Sequence, residues 1–223
     1  MFEGDKLIGC AKITSLPNKV VWLEGLRIHP DYQNQGLGTR LSKHIMDIAL
    51  NLIRSGEAKH IEFSTYYLNK ESIAISKQAG FELMDEYYIL SHEPVRPAFA
   101  VQLKKIDASI KNYYPVTLPF GWKFLHPTAT SIKWLNNQTN LVQVNGERFY
   151  VGGENPTVCL LSPAGYWLKD ALPYIQGALG KNKPIEILLH KSRRKELSAL
   201  FKRGFHWWEE GTEDIVQIFR YQP

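Results

Sequence analysis

Two hydrophobic periods alternate along the first part of the chain. Leu7-Ile8-Gly9-Cys10-Ala11-Lys12-Ile13 predicts a strand that follows a turn at Gly4-Asp5. A Pro17-Asn18 turn leads to a second strand, Val20 to Ile28, whose end alternates Leu26, Arg27 and Ile28 with period two. After a loop from His29 to Gln35 the period lengthens. Leu37, Leu41, Ile45, Ile48, Ala49 and Leu52 share one face of a predicted helix, and Gly56 is its stop. His60 to Thr65 predicts a strand, and Asn69 can cap a helix that runs through Ile73 and Ile75 to Gly80. Phe81 to Met84 and Tyr87 to Leu90 read as further strand. Strand–helix alternation after an opening hairpin predicts a mixed α/β layer architecture.

The pattern breaks at Glu93-Pro94-Val95-Arg96-Pro97, a candidate linker. It divides the chain into an expected first domain, 1–94, and a second, 95–223. In the second, Leu141 to Val144 and Arg148 to Val151 flank Asn145-Gly146, the signature of a tight hairpin. Val158 to Leu161 predicts a strand and Trp167 to Leu179 a helix. Ile61-Glu62-Phe63 and Gly80-Phe81 recur as Ile185-Glu186-Ile187 and Gly204-Phe205, both at an offset of 124 (61 to 185, 80 to 204). The same register sets Ile73 opposite Leu197 and Glu86 opposite Glu210. Shared order at one offset favours an internal duplication.

Composition adds limits. With 223 residues, 44% hydrophobic and 22% charged, the chain has enough apolar material for a core. No apolar run reaches the roughly 20 residues that span a bilayer, and the start has no long apolar segment of the secretory kind. Cys10 and Cys159 lie far apart, which fits buried thiols in a reducing cytoplasm better than a disulfide or a cysteine-based metal site. The net charge is +5. Its densest stretch, His190-Lys191-Ser192-Arg193-Arg194-Lys195, reads as the solvated start of a helix, so neither nucleic acid nor membrane is an expected partner. Trp122, Trp134, Trp167, Trp207 and Trp208 read mostly as core.

One segment carries chemistry. Pro30 to Leu41 joins a strand end to a helix start and contains Gly36-Leu37-Gly38. Glycines permit close backbone approach, and a helix N-terminus offers unpaired N–H groups that suit a pyrophosphate. No Lys-Ser or Lys-Thr follows, so a nucleotide-triphosphatase loop is excluded. A dinucleotide fingerprint fails too, since Leu41 holds its third glycine position and seven residues separate Ile28 from Gly36.

Gln33-Asn34-Gln35-Gly36-Leu37-Gly38 resembles the Arg/Gln-x-x-Gly-x-Gly/Ala signature of the GCN5-related N-acetyltransferase (GNAT) superfamily. Leu26 to Tyr32 looks like that family's fourth strand and its exit, and Asn69 to Phe81 is similar to a second family pattern that ends in Gly-Phe. The resemblance spans about residues 5–92 and implies a central mixed, mostly antiparallel sheet flanked by helices. It implies acetyl-CoA as cosubstrate, no metal, and transfer of acetyl by direct attack of a primary amine. Cofactor contacts fall on Leu26, Arg27, Ile28, Gln33, Asn34, Gln35, Gly36, Leu37, Gly38, Thr39 and Asn69. Glu24 stands where many members carry the base, against the plainer reading of a solvent-facing strand carboxylate. A backbone N–H of the fourth strand, with Ile28 as candidate, would polarise the thioester.

The chain departs from the family in two respects. The usual general-acid Tyr is replaced by Ser76; Tyr66, Tyr67, Tyr87 and Tyr88 are nearby hydroxyls, with Tyr67 the candidate and strand packing the alternative. His29 reads as a surface residue and Cys10 as a small buried hydrophobe. Family members begin with a strand and two helices, whereas only Met1 to Gly4 precede the third-strand-like segment here, so the expectation is a longer natural chain. The second half has no Gly-x-Gly loop, since Leu161-Ser162-Pro163-Ala164 leads almost directly into its helix. It resembles a degenerate copy, and the tandem is weakly similar to the histidine N-acetyltransferases. The expected acceptor is a small-molecule amine or amino acid, with a homodimer left open. The alternative is a non-catalytic acyl-CoA-binding or interaction protein.

Overall fold

A computed structural model describes residues 1–99, 103–163, 168–180, 182–209 and 213–222. Contacts divide the chain into two units, Met1–Met84 with Ile218–Pro223, and Asp85–Gln217. The first division point falls before the irregular segment at 93–97, because Phe81–His92 is one continuous strand rather than two.

The first unit holds β1 (Phe2–Glu3), β2 (Lys6–Leu7), β3 (Gly9–Leu16), β4 (Val20–Ile28), α1 (Leu37–Arg54), β5 (His60–Tyr66), α2 (Lys70–Gln78) and the start of β6 (Phe81–His92). The expected first strand therefore splits: Phe2 pairs with Leu7 in a small hairpin, and the long strand begins at Gly9. β3 and β4 are antiparallel, whereas β4 and β5 are parallel, which requires the crossover supplied by α1. On one face of this sheet Val21, Ile61, Phe63 and Phe81 pack with Met46, Ala49, Leu50 and Ile53 of α1. That i, i+3, i+4, i+7 stripe is rotated from the expected one: Ile48 is 39% exposed, since the helix presents Met46 and Leu50 inward instead. Phe219, from the last strand, stacks on Phe63 with centroids 5.2 Å apart. Asn69 caps α2 by accepting from the Ser72 N–H at 3.2 Å.

The second unit contains β7 (Leu103–Lys104), β8 (Leu118–Phe120), β9 (Lys123–Leu125), α3 (Ala129–Gln138), β10 (Leu141–Val144), β11 (Glu147–Gly152), β12 (Thr157–Leu160), α4 (Leu168–Leu179), β13 (Ile185–His190), α5 (Leu197–Phe201), β14 (His206–Trp207) and the start of β15 (Ile215–Tyr221), whose remainder from Ile218 belongs to the first unit. Val144 pairs with Glu147 across Asn145-Gly146, both with positive φ, as a two-residue hairpin requires. β11 and β12 are antiparallel, β12 and β13 parallel, with α4 between the latter two. The order β3-β4-α1-β5-α2 in the first unit therefore recurs as β11-β12-α4-β13-α5 in the second. Gly80 and Gly204 each follow the last helix of their series with φ of 90°. Ala164, Trp167 and Glu210, on which the sequence reading also touched, lie outside the described residues.

Three sequence expectations are corrected here. The basic run at 190–195 does start a helix, as a 3₁₀ turn over Lys191–Glu196 that leads into α5 with Ser192, Arg194 and Lys195 exposed, but it is only partly solvated. His190 and Arg193 are buried, the former donating from Nε2 to Asp85 Oδ1 across 2.9 Å. The Arg193 guanidinium bonds the carbonyls of Leu160 and Ser162 at 2.8 Å each and grips Glu196 through two 2.8 Å contacts. These satisfied donors make its burial tolerable. Cys10 is exposed rather than core, because its position faces outward on β3. Trp122, Trp134, Trp207 and Trp208 are half-buried rather than fully enclosed, Trp207 packing against the core of the second unit. Among the described residues no helix is long and apolar enough to cross a membrane.

Two outcomes follow from this packing. Arg193→Met should cost about 3–5 kcal/mol in urea denaturation, since Glu196 and two carbonyls would lose their buried partner. Burial pushes the Cys159 thiol up to about 12, whereas Cys10 is exposed. A disulfide exchange reagent at pH 8 should therefore titrate Cys10 in the native protein and both thiols after unfolding.

Candidate functional site

The site begins where a sheet stops pairing. β4 and β5 share register only at Val20–His60, Val21–Ile61 and Trp22–Glu62. Beyond these residues β4 runs on to Ile28 and β5 to Tyr66 without a common ladder. A cleft of about 950 Å³ opens there, lined by β4 from Leu23 to Ile28, by Phe63 to Thr65, and by the starts of α1 and α2. Backbone groups on this edge of β4 are thus available to an extended ligand.

A bulge shapes the same strand. Cys10 pairs with Arg27 and Lys12 with Glu24, so one residue of β3 faces two of β4, Gly25 and Leu26. Gly25 has φ of +68°, the left-handed first residue typical of a glycine bulge. The bulge re-aims the end of β4. His29 N–H donates to Ile8 O at 2.8 Å on the β3 side. Successive peptide groups of a strand alternate in direction, so Ile28 turns its N–H and C=O toward the cleft. The Gln33 amide confirms this for the carbonyl, donating to Ile28 O at 3.2 Å.

The loop that follows is held by its own groups. Pro30–Tyr32 forms a short 3₁₀ turn, capped by the His29 ring, which accepts from the Asp31 N–H. Tyr32 OH donates to Glu3 at 2.6 Å, and this bond raises the phenol's pKa above its usual value. Gln35 Nε2 donates to Asp31 O at 3.2 Å, so its side chain braces the loop rather than lining the cleft. Asn34 and Gly36 have φ of +60° and +72°, and Gly36 sits at the N-cap of α1. The first N–H groups of that helix, at Leu37, Gly38 and Thr39, have no intrahelical acceptor and face the cleft end. Gln33 contributes its side chain only, since its N–H already donates to Pro30 O. Such an arrangement favours an anion by roughly 0.3–1 kcal/mol per charge when exposed, and up to about 2 when partly buried.

Glu24 lies on the sheet face opposite α1, directly across from Lys12. Its Oε1 accepts from Thr14 Oγ1 and lies 3.4 Å from Lys12 Nζ. Lys12 and Glu24 both line the cleft, as do Ser64, Asn69, Ser72 and Ser76. Tyr67 does not; it packs edge-on against Tyr66, with centroids 5.0 Å apart. Tyr87 and Tyr88 are fully buried in the second unit, where Tyr87 OH donates to Thr117 O. Sequence reasoning missed Lys12 and Thr14. Their signal was alternation on β3, but only the hairpin register reveals which β4 side chain they meet.

Residues 1–81 match the model of the acetyltransferase (GNAT) family. That match falls within the first unit. No curated protein matches the chain in sequence. Among solved structures, a protein described as an acetyltransferase, from Thermoplasma acidophilum, shares 16% identity and a TM-score of 0.61, covering 100% of this chain and 77% of its own. One from Pyrococcus horikoshii shares 13%, with a TM-score of 0.57 over 97% of this chain and 70% of its own. A GCN5-related N-acetyltransferase from Sphaerobacter thermophilus shares 12%, with a TM-score of 0.52 over 94% and 75%. At such identities the likeness is one of fold, and it extends across both units.

In the first unit the bulge glycine has a testable cost. A Cβ at Gly25 would meet nothing within 4 Å, so strain at its positive φ is the only penalty. Gly25→Val should lose about 1–2 kcal/mol in urea denaturation. Gly38→Ala, with negative φ and its nearest side-chain neighbour Ile28 Cγ1 at 3.9 Å, should be neutral or slightly stabilising.

Proposed function

We propose that the chain transfers an acetyl group from acetyl-CoA to the primary amine of a small molecule. The observation that carries this reading is the continuity of one cleft. At one end it has the open N-terminus of α1 behind Asn34 and Gly36; along its side runs the unpaired edge of β4; at the far end stands Glu24. The pyrophosphate would rest on the N–H groups from Asn34 to Thr39, with Gln33 and Asn69 beside it. The pantetheine amides would extend along Leu26 to Ile28 as an added strand. A cleft-facing N–H of this edge, Ile28 the candidate, would donate to the thioester carbonyl.

Chemistry then needs a neutral amine. Glu24 is placed to accept the ammonium proton, directly or through one water. The amine would attack the thioester carbon to give a tetrahedral oxyanion whose nitrogen is cationic; loss of that nitrogen's proton to water and collapse of the oxyanion would then form the amide and expel the CoA thiolate. Ser76 and Ser72 line the cleft with hydroxyls that can hydrogen-bond that thiolate, although serine is a poor proton donor. The thiolate can instead take its proton from solvent.

Calorimetry and thiol release test the two halves separately. Gly36→Val forces a branched residue into φ of +72° and should abolish acetyl-CoA binding. Glu24→Gln should retain acetyl-CoA affinity yet lower amine-dependent thiol release by about 10²–10⁴-fold. Acetyl-CoA binding with no thiol release from any amine would favour a non-catalytic binding protein instead.

A further inference from the structure

We propose that Lys12 selects an acceptor bearing a carboxylate next to its amine, an α-amino acid or close relative. This rests on the acetyl-transfer reading of the cleft and names the substrate class of that same site.

The argument starts from register. Lys12 and Glu24 are directly opposed residues of an antiparallel pair, so their side chains rise together from one face of the sheet. That face is opposite the one covered by α1, whose apolar partners are Ile13, Val21 and Leu23. Nζ and Oε1 are 3.4 Å apart, and the side chains keep 51% and 22% exposure. Both line the cleft. The proton acceptor of the proposed reaction therefore comes with a cationic neighbour that a ligand can reach.

An incoming ammonium seeks Glu24. A simple alkylamine or a diamine brings only positive charge, and it must either displace Lys12 from its partner or share the carboxylate with it. Either course leaves like charges close together, which disfavours binding. A zwitterion escapes this conflict. Its ammonium replaces Lys12 at Glu24 while its carboxylate takes up the Lys12 ammonium, so one ion pair is exchanged for two complementary ones. In an α-amino acid a single carbon separates the two groups, so one small molecule can present both charges to a pair whose Nζ and Oε1 stand 3.4 Å apart. Thr14, bonded to Glu24 Oε1, holds the carboxylate in place while the exchange occurs.

The test uses the full chain and a thiol-release assay with matched pairs of acceptors, each an α-amino acid and its decarboxylated amine. The wild-type protein should show a kcat/KM at least tenfold higher for the amino acid, expressed mainly in KM. K12M should erase that ratio, K12R should preserve most of it, and K12E should reverse it in favour of the amine. Acetyl-CoA affinity of each variant, measured by calorimetry, reports that the cofactor end is intact. Equal use of both acceptors by wild type, or a ratio unmoved in K12M with acetyl-CoA still bound, overturns the proposal while acetyl transfer stands. Absence of thiol release from wild type with every amine overturns the catalytic reading itself, and Lys12 selectivity with it.

Discussion

Everything in the candidate site depends on how little β4 and β5 are paired. Three registered residues hold the two parallel strands together, and past Trp22 and Glu62 they diverge. A longer ladder would satisfy the β4 edge internally and leave no row of backbone donors for a ligand. The separation has its cost carried by the surrounding core. Phe63 sits where the strands part and is braced edge-on by Phe81 and face-on by Phe219, all against the α1 stripe. Aromatic contacts of this kind contribute about 0.5–1.5 kcal/mol beyond area burial. They hold the cleft wall without requiring hydrogen bonds across the gap.

The two ends of the cleft use different physics. At the loop, fixed dipoles act: left-handed residues at Asn34 and Gly36 set the direction of N–H groups that no side chain competes for. At the other end, ionised side chains act, and these are mutually compensating in Lys12 and Glu24. The second unit repeats the strand and helix order but fills the corresponding strand end from within. The carbonyls of Leu160 and Ser162, at and just beyond the end of β12, are occupied by Arg193. A buried guanidinium there replaces what in the first unit is an open edge.

Much of this was legible in the chain itself wherever the determinant is local. The Asn145-Gly146 hairpin, the Asn69 cap and the glycine loop before α1 all depend on the conformational preferences of residues a few positions apart. Determinants that require knowing a partner were not legible. The Gly25 bulge exists only relative to β3, and the pairing of Lys12 with Glu24 follows from the register the bulge sets. The run at 190–195 looked solvated because its charges are visible in sequence and its acceptors, Leu160 and Ser162, are about thirty residues away. The α1 stripe was displaced because Ile48 and Met46 are equally apolar, and only the sheet decides which one turns inward.

The division of the chain also governs the order in which it can assemble. Residues 218–223 belong to the first unit, where Phe219 and Tyr221 pack against Phe63, Phe81 and Gly80. A ribosome that has released the whole cleft-forming segment has still to make well over a hundred residues before those side chains exist. Closing a loop of that length adds only slowly growing entropy, but it delays the contact until the second unit has been synthesised. The candidate cleft is then encoded early and completed only when residues 218–222 have been made. Until the final strand arrives, the nascent first unit would present one side of Phe63 and Phe81 to solvent, an interval in which a chaperone has something to hold.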